Sequence, residues 1–212
     1  MTRTKRLLLI LGAVAAGFGF AVAPASAQQT IIDQWTTIET PAAPALKEVT
    51  VDPSTTALLL LDFVKQTCEH RPRCVAGLPE VKKLLAAARA KNMLVVYSDI
   101  PNSTMADAMA DVAPAGGEPT VQGGIDKFIN TDLDKILKDK GIKTVIVTGV
   151  AANGAVLYTS AEAIVHGFKA IVPVDGMFAD NAFIEKYVAY NFTTAPGVGP
   201  NTTLTRISMI KF

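Results

Sequence analysis

The chain has 212 residues, with 20 Lys and Arg against 19 Asp and Glu, and half of its residues are hydrophobic. This near-neutral balance gives no electrostatic reason to expect nucleic acid or an anionic membrane surface as a partner. The length allows one domain with a substantial core, but hardly two.

The first 27 residues have the pattern of a secretory signal peptide. A basic head at residues 2–6 precedes an apolar run at residues 7–20, and residues 25–27 (ASA) supply the small side chains that a signal peptidase reads. The run is too short to span a bilayer comfortably, although an uncleaved anchor is the alternative interpretation. Cleavage after Ala27 predicts a periplasmic or secreted protein without a membrane segment. Because three basic residues and no acidic residue lie in the leader, the remainder carries a net charge of about −2.

Residues 28–53 are rich in Thr, Ala and Pro and predict an N-terminal arm with one short strand at residues 48–51. The arm contains Trp35, the only tryptophan of the chain. An arm of this kind typically packs over a neighbouring surface, either its own or that of a second subunit. We therefore expect a homo-oligomer.

From residue 54 onward the hydrophobic pattern alternates between strands and helices. Residues 56–62 (TALLLLD) form an apolar run that ends in an acid, as in a strand buried on both faces of a parallel sheet. Pro79 favours the start of a helix, because proline is common at the first helical position. The predicted strands are 56–62, 93–98, 144–148, 170–174 and 203–207, and the predicted helices are 79–92, 130–140, 155–166 and 183–192.

This alternation predicts an α/β fold for residues 54–212, a three-layer doubly wound sandwich with a mostly parallel central sheet. The Pro-, Gly- and Ala-rich residues 99–125 contain no clear long element. In such sheets ligands bind beyond the carboxyl ends of the strands. Asp62, Ser98, residues 149–154 and Asp175 all follow predicted strands, so we expect the chemistry there. For Asp62 a purely structural role, capping a neighbouring helix or loop, is the alternative.

The two cysteines, Cys68 and Cys74, follow the first predicted strand. In an oxidising compartment a disulfide that closes a tight loop is favoured. A metal site would combine both with His70, but three ligands in one short loop without a second cluster is a weak pattern. A nucleophilic cysteine would need a base nearby, and the sequence identifies none. We predict the disulfide.

Two stretches of sequence carry a family resemblance. One is LLLLDF at residues 58–63, and the more specific one runs from TDL at 131–133 through GIKTVIVTGVAANGAVL at 141–157 to VPVD at 172–175. Together they resemble the isochorismatase-like hydrolases, a superfamily that includes nicotinamidases and N-carbamoyl amidohydrolases. The resemblance covers most of residues 54–180.

The resemblance implies a catalytic triad of an aspartate, a lysine and a cysteine. In the family, a thiolate at a helix N-terminus attacks an amide carbonyl, the carboxylate transfers the proton, and the ammonium lowers the pKa of the thiol. Asp62 matches the acid, whereas Ala155 stands at the cysteine position, so the thiol part of this mechanism is lost. The resemblance also implies a cis peptide bond between Val150 and Ala151.

The family lysine has no clear counterpart in the chain. Residues 118–122 (EPTVQ) resemble the strand that precedes it, which puts Gly123 at its position. Lys127, a few residues further on, either reaches the pocket from a shifted position or forms a surface pair with Asp126.

The resemblance further predicts which residues surround the ligand. Zinc-binding family members carry histidines after the second strand, where this chain reads SDIPN at residues 98–102. We therefore expect no metal and no other cofactor. Besides Asp62 and Lys127, the residues expected to form the pocket are Phe63, Val150, Ala151, Ala152, Asn153 and Gly154.

Three functions are compatible with this sequence. The first is a small-molecule hydrolase with Asp62 as general acid or base and no thiol nucleophile, similar to the family members that cleave isochorismate. The second is a non-catalytic protein of the cell envelope that binds a small ligand in the same pocket. The third is a structural subunit of an oligomer.

Overall fold

The computed structural model describes residues 29–212, so the predicted signal peptide lies outside the described residues. The chain divides into a short unit that ends at Thr40 and a compact unit, Pro41–Phe212. The short unit contains one helical turn, in which the side chain of Asp33 accepts a hydrogen bond from the backbone N–H of Thr30. Within residues 29–212, no helix combines the length and the apolar character needed to cross a bilayer.

Nine strands and six α-helices make up the regular structure of residues 29–212. The strands are β1 (Val49–Thr50), β2 (Thr56–Leu61), β3 (Leu94–Asp99), β4 (Thr120–Gln122), β5 (Thr144–Val150), β6 (Lys169–Pro173), β7 (Met177–Phe178), β8 (Thr202–Thr205) and β9 (Ile210–Lys211). The helices are α1 (Ile31–Gln34), α2 (Lys65–Cys68), α3 (Pro72–Ala90), α4 (Leu133–Asp139), α5 (Leu157–Val165) and α6 (Ala182–Thr194).

Seven strands form one sheet, in the order β4-β3-β2-β5-β6-β8 with β7 beside β5, and all of its strand pairs are parallel. β1 and β9 pair in a separate small sheet. From β2 the chain runs outward to β3 and β4, and it then returns to the other side of β2 with β5. The strand order therefore reverses between β2 and β5. In doubly wound proteins, the carboxyl ends of the strands at this reversal form the ligand-binding crevice.

Helices cover both faces of β2, which explains its uninterrupted run of apolar residues. All six residues of the strand are buried. Leu59 and Leu61 belong to a core cluster that includes side chains of α4, α5 and α6, whereas Leu58 and Leu60 belong to a second cluster with α3. Because successive side chains of a strand point to opposite faces, a central strand of a three-layer sandwich must be apolar at every position. The predicted fold class is confirmed.

The helix after β2 starts earlier than predicted. α3 begins at Pro72, and Pro79 lies inside the helix rather than at its start. Proline is tolerated in the first turn, whereas an internal proline removes one intrahelical hydrogen bond. Cys74, in the first turn of α3, forms a disulfide with Cys68 at the end of α2. Burial of α3 side chains against the sheet stabilises the helix by more than Pro79 destabilises it.

The segment after β5 also differs in detail from its prediction. β5 continues to Val150, and a π-helical turn at Ala152–Val156 leads into α5. The residues at 99–125 hold two short 3₁₀ turns and the edge strand β4, in agreement with the absence of a predicted long element. β4 lies directly beside β3, so this loop region returns to the edge of the sheet.

Gly149 lets β5 approach the end of β2 closely, which gives a test of the central strand pair. A β-carbon at Gly149 would lie 2.5 Å from the carbonyl oxygen of Leu61. Because backbone atoms cannot yield easily, we expect Gly149→Ala to lower the free energy of unfolding by about 2–3 kcal/mol in urea titrations. As a control, Gly116→Ala places its methyl group more than 4 Å from any neighbour and should change stability by less than about 0.5 kcal/mol. Equal stability of the two variants would contradict this packing.

Candidate functional site

Asp62 leaves β2 at the point where the strand order reverses. The residue has a φ of 58°, in the left-handed region that aspartate tolerates better than most residues. Its side chain is almost fully buried, and it lines a cavity of about 270 Å³ together with Ala155. The remaining wall comes from the segments that follow β2, β3, β4 and β5: Thr67 and Arg71, Ile100 and Pro101, Gly123, Gly124 and Ile125, and Val150, Ala151 and Gly154.

Lys127 forms a buried ion pair with Asp62. Its Nζ lies 2.8 Å from Oδ1 of Asp62, and its side chain is 0% exposed. The same ammonium donates to the carbonyl oxygens of Gly123, at 2.9 Å, and Asp99, at 3.3 Å. An ammonium group has three hydrogens, so these three acceptors satisfy it. The structure thus brings Lys127 to Asp62, and the carboxylate of Asp126 instead accepts the backbone N–H of Phe128.

Threonine side chains hold the main chain of Lys127 in place. The hydroxyl of Thr131, just before α4, donates to the carbonyl oxygen of Lys127 and accepts the backbone N–H of Leu133. The backbone N–H of Lys127 donates to the hydroxyl of Thr159 on α5, with a distance of 3.2 Å. The lysine is therefore anchored from two helices, and the threonine of the TDL motif provides one of these anchors.

Ser98 completes the surroundings of the Asp62 carboxylate. Its hydroxyl donates to Oδ1 of Asp62 at 2.7 Å, because β3 lies beside β2 with Ser98 opposite Leu61. Burial raises the pKa of Asp62 above its ordinary value and Asp99 adds to this effect, while Lys127 and the Ser98 hydroxyl act in the opposite direction. A carboxyl group with a raised pKa can hold and release a proton closer to neutral pH than an exposed one.

The predicted pocket residues divide into two groups in the structure. Val150, Ala151 and Gly154 line the cavity, and the peptide bond between Val150 and Ala151 is cis, as the family resemblance implies. Phe63, Ala152 and Asn153 do not belong to the cavity wall. The ring of Phe63 packs in the core, 6.1 Å from that of Phe178, and Asn153 is exposed to solvent. The turn between β5 and α5 therefore faces the cavity at its two ends, with Val150 and Ala151 and with Gly154 and Ala155, but not at the residues between them.

Three further polar side chains, at or away from this edge, have structural partners. The hydroxyl of Thr148 donates to the carbonyl oxygen of Leu59 inside the sheet. Asp175 accepts the backbone N–H of Ile207 at 2.8 Å and does not line the Asp62 cavity. His166 lies with its Nδ1 2.8 Å from Asp134, at the end of α5. Across residues 29–212, no three His, Cys, Asp or Glu side chains form a cluster suited to a metal ion.

Arg71 lines the cavity, although nothing in the family resemblance singled it out. It precedes α3 within the loop that the Cys68–Cys74 disulfide closes. The sequence feature that could indicate a role for Arg71 is its position as a basic residue between two cysteines, shortly after the predicted strand that ends in Asp62. Larger clefts exist elsewhere: one of about 480 Å³ after β6, lined by Asp175, which contains neither Asp62 nor Ala155, and one of about 440 Å³ beside the amino ends of β2 and β5. That position is opposite to the edge where parallel sheets bind ligands.

Comparison with known proteins agrees with the fold. The family profile described as "Isochorismatase domain" matches residues 56–192. The chain belongs to the isochorismatase family.

Two proteins with similar sequences are, by their names, an amidase and an amidohydrolase. N-carbamoylsarcosine amidase from Arthrobacter is 34% identical over 45% of this chain and 47% of its own length. Maleamate amidohydrolase from Pseudomonas putida is 26% identical over 55% of this chain and 68% of its own length. The match thus spans about half of the first relative and about two thirds of the second. A cysteine hydrolase from Pseudomonas syringae has the same fold, with a TM-score of 0.66 and 19% identity over 81% of this chain and 95% of its own.

The ion pair can be tested by removing its cation. Lys127→Met keeps the apolar stem but leaves the Asp62 carboxylate buried without its counter-charge. We expect the free energy of unfolding at about pH 8 to fall by about 3–5 kcal/mol, measured by urea denaturation. Lys140→Met, at an exposed position, is the control and should change stability by less than about 0.5 kcal/mol.

The same variant should be sensitive to pH. Without Lys127 the pKa of Asp62 in the folded protein rises further, so the folded state binds the proton more tightly than the unfolded chain does. The stability gained from this proton is complete below the ordinary pKa of aspartate and is lost as pH rises through the raised pKa. The deficit of Lys127→Met should therefore shrink when unfolding is measured at about pH 5 instead of pH 8. A deficit independent of pH would contradict the pairing.

Proposed function

We propose that this protein is a small-molecule hydrolase in which Asp62 is the acid-base group and no thiol takes part. The observation that carries the proposal is the buried Asp62–Lys127 pair beside a cavity at the reversal of strand order. Replacing a buried ion pair by well-packed apolar residues is often neutral or stabilising, so such a pair is weak evidence for a stabilising role. A titratable group with a shifted pKa in a ligand-sized cavity indicates function instead.

The contacts of Asp62 suggest how its two oxygens divide their roles. Lys127 and Ser98 both contact Oδ1, and we assign Oδ2 to the ligand. In its protonated form Asp62 donates the proton to the substrate, either to the leaving group or to an unsaturated carbon. Water then forms a bond to the activated carbon and the carboxylate takes a proton from that water, while the bond between this carbon and the protonated leaving group breaks; with an unsaturated ether, the resulting hemiacetal releases the alcohol. All three ammonium hydrogens of Lys127 already have acceptors, so the ammonium has none left for a substrate. Its role is to position Asp62 and to compensate the charge of the carboxylate.

Ala155 determines which part of the relatives' chemistry this chain retains. The family resemblance assigns to this position the nucleophilic cysteine, and a methyl group cannot form a covalent acyl intermediate. The names of the two curated relatives favour hydrolysis of an amide or a related bond. In this chain water attacks directly, without a covalent intermediate, and Asp62 makes both proton transfers.

We further propose that the protein acts outside the cytoplasm. This rests on the basic head, the short apolar run and the ASA site in the first 27 residues. The disulfide between Cys68 and Cys74 supports the same compartment, because disulfides persist mainly in oxidising surroundings.

A binding protein without catalysis is the second candidate, and Ala155 is the observation that favours it. The same cavity and the same buried ion pair would hold a small ligand without breaking a bond. The two candidates differ in turnover rather than in affinity.

The role of Asp62 can be tested by an isosteric replacement. Asp62→Asn keeps the shape of the side chain but cannot transfer a proton. With N-carbamoylsarcosine, maleamate and ethyl vinyl ether as substrates, we expect turnover by the wild type and a loss of at least about 100-fold in kcat for the variant. Because the proposed acid must be protonated, the wild-type rate should fall as pH rises through the raised pKa of Asp62.

Asp175→Asn is the matched control, because Asp175 also follows a central strand but lies outside the Asp62 cavity. It should leave turnover close to that of the wild type. Full activity of Asp62→Asn would refute the assignment of the acid. Thermal stabilisation by one of these compounds without any turnover would favour the binding protein.

Restoring a thiol tests whether the surroundings of Ala155 can activate one. Ala155 is buried at the cavity, in the turn that leads into α5. We expect Ala155→Cys to react with iodoacetamide at neutral pH at least about tenfold faster than Ala161→Cys, which lies further along α5 and away from the cavity. Mass spectrometry gives both rates with the native disulfide intact. Equal rates would show that no activating environment exists at this position.

A further inference from the structure

Arg71 is a cation in the cavity wall whose contacts leave part of its guanidinium available. Among the described residues, Asp62 and Arg71 are the charged side chains that line this cavity. Nε of Arg71 donates to Oδ1 of Asp180 at 2.8 Å, and Nη1 donates to the carbonyl oxygen of Thr67. A guanidinium has five N–H donors, so these two bonds leave donors for a ligand.

The ion pair with Asp180 does not cancel Arg71 inside the cavity. The side chain of Asp180 is 68% exposed, whereas that of Arg71 is 25% exposed, and Asp180 does not line the cavity. Water therefore weakens the attraction between the Asp180 carboxylate and the guanidinium, so the positive charge of Arg71 is only partly neutralised. The other charge in the wall, that of Asp62, is balanced by Lys127. The cavity is thus left with one cation that faces a ligand.

The disulfide loop fixes the backbone of Arg71. Cys68 and Cys74 flank it and are both fully buried. The backbone N–H of Arg71 donates to the carbonyl oxygen of Cys68, and its own carbonyl oxygen accepts from the N–H groups of Cys74 and Val75. Arg71 is therefore held between the end of α2 and the start of α3. Along the chain, only residues 63–70 separate Arg71 from Asp62 at the end of β2.

We propose that Arg71 binds a carboxylate of the ligand and that the Cys68–Cys74 loop positions it for this purpose. The proposal rests on the proposed function for the location of the site and adds the class of ligand, a small organic monocarboxylate. Guanidinium groups bind carboxylates through paired, charge-assisted hydrogen bonds. One guanidinium matches a single negative charge, whereas the rest of the wall includes the apolar Ile100, Pro101 and Ile125. The uncharged part of the ligand packs there, with its reactive group toward Asp62.

Matched pairs of acids and amides test the proposal, because each pair differs only in the charged group. The probes are maleamate against maleamide and crotonate against crotonamide, with Kd measured by isothermal titration calorimetry. We expect the wild type to bind the acid of at least one pair at least about tenfold more tightly than its amide. In Arg71→Met this preference disappears, while the affinity for the amide is retained. Arg71→Lys keeps the charge without the planar fork and should show an intermediate preference.

Arg73→Met is the control for the disulfide loop itself. Arg73 lies in the same loop, but it pairs with Glu185 and does not line the Asp62 cavity. This variant should keep the full preference for the acid. The double variant Cys68→Ala, Cys74→Ala should lose most of it, because the loop no longer holds the guanidinium in one place.

The outcomes separate this proposal from the proposed function. If neither acid is preferred over its amide, including the case in which neither acid binds, the role of Arg71 is refuted. An unchanged preference in Arg71→Met refutes it as well. Turnover that depends on Asp62 is measured separately, so a preference for acids without turnover supports Arg71 and counts against hydrolysis. Turnover without a preference for acids supports hydrolysis and counts against the role of Arg71.

Discussion

The buried ion pair between Asp62 and Lys127 is the interaction on which the site depends. Two charges removed from water are stable only when geometry and hydrogen bonding compensate them. Here the lysine ammonium has three acceptors, two of them backbone carbonyl oxygens, and the carboxylate also accepts the hydroxyl of Ser98. The sheet supplies these partners because β2 and β3 end side by side. The threonines at 131 and 159 then fix the lysine backbone from outside the sheet.

The position of the lysine along the chain distinguishes this protein from the family pattern. The resemblance puts Gly123 where the family has its lysine, and the ammonium that reaches Asp62 comes from Lys127. A β-carbon at Gly123 would lie 3.7 Å from Cδ of Lys127 and 3.2 Å from Cγ2 of Thr131. The contact with the lysine stem would be an ordinary one, whereas the contact with Thr131 would be tight, so the glycine relieves crowding against the threonine that holds the Lys127 backbone.

The fold and one half of the site could be predicted from the sequence, each for a definite reason. The apolar run before Asp62 encodes a central strand, and the TGV sequence that ends β5 carries a family pattern, so both sides of the cavity are identifiable from the sequence. Lys127 remained ambiguous, because sequence spacing does not show which way a loop lysine turns. The sequence does not indicate that Arg71 lines the cavity, because its position depends on how the disulfide loop packs. Pro79 misled the helix prediction, since tertiary burial outweighed a local preference.

Asp62 and Arg71 lie in parts of the structure that differ in the number of contacts holding the backbone. Asp62 follows β2, which exchanges backbone hydrogen bonds with β3 and β5 along its whole length. Arg71 lies in a peripheral loop that one covalent link and a few main-chain bonds hold. Local opening of a protein starts where such contacts are few. Mild heating or denaturant would accordingly loosen the loop around Arg71 first, while the Asp62–Lys127 pair persists until the sheet itself comes apart.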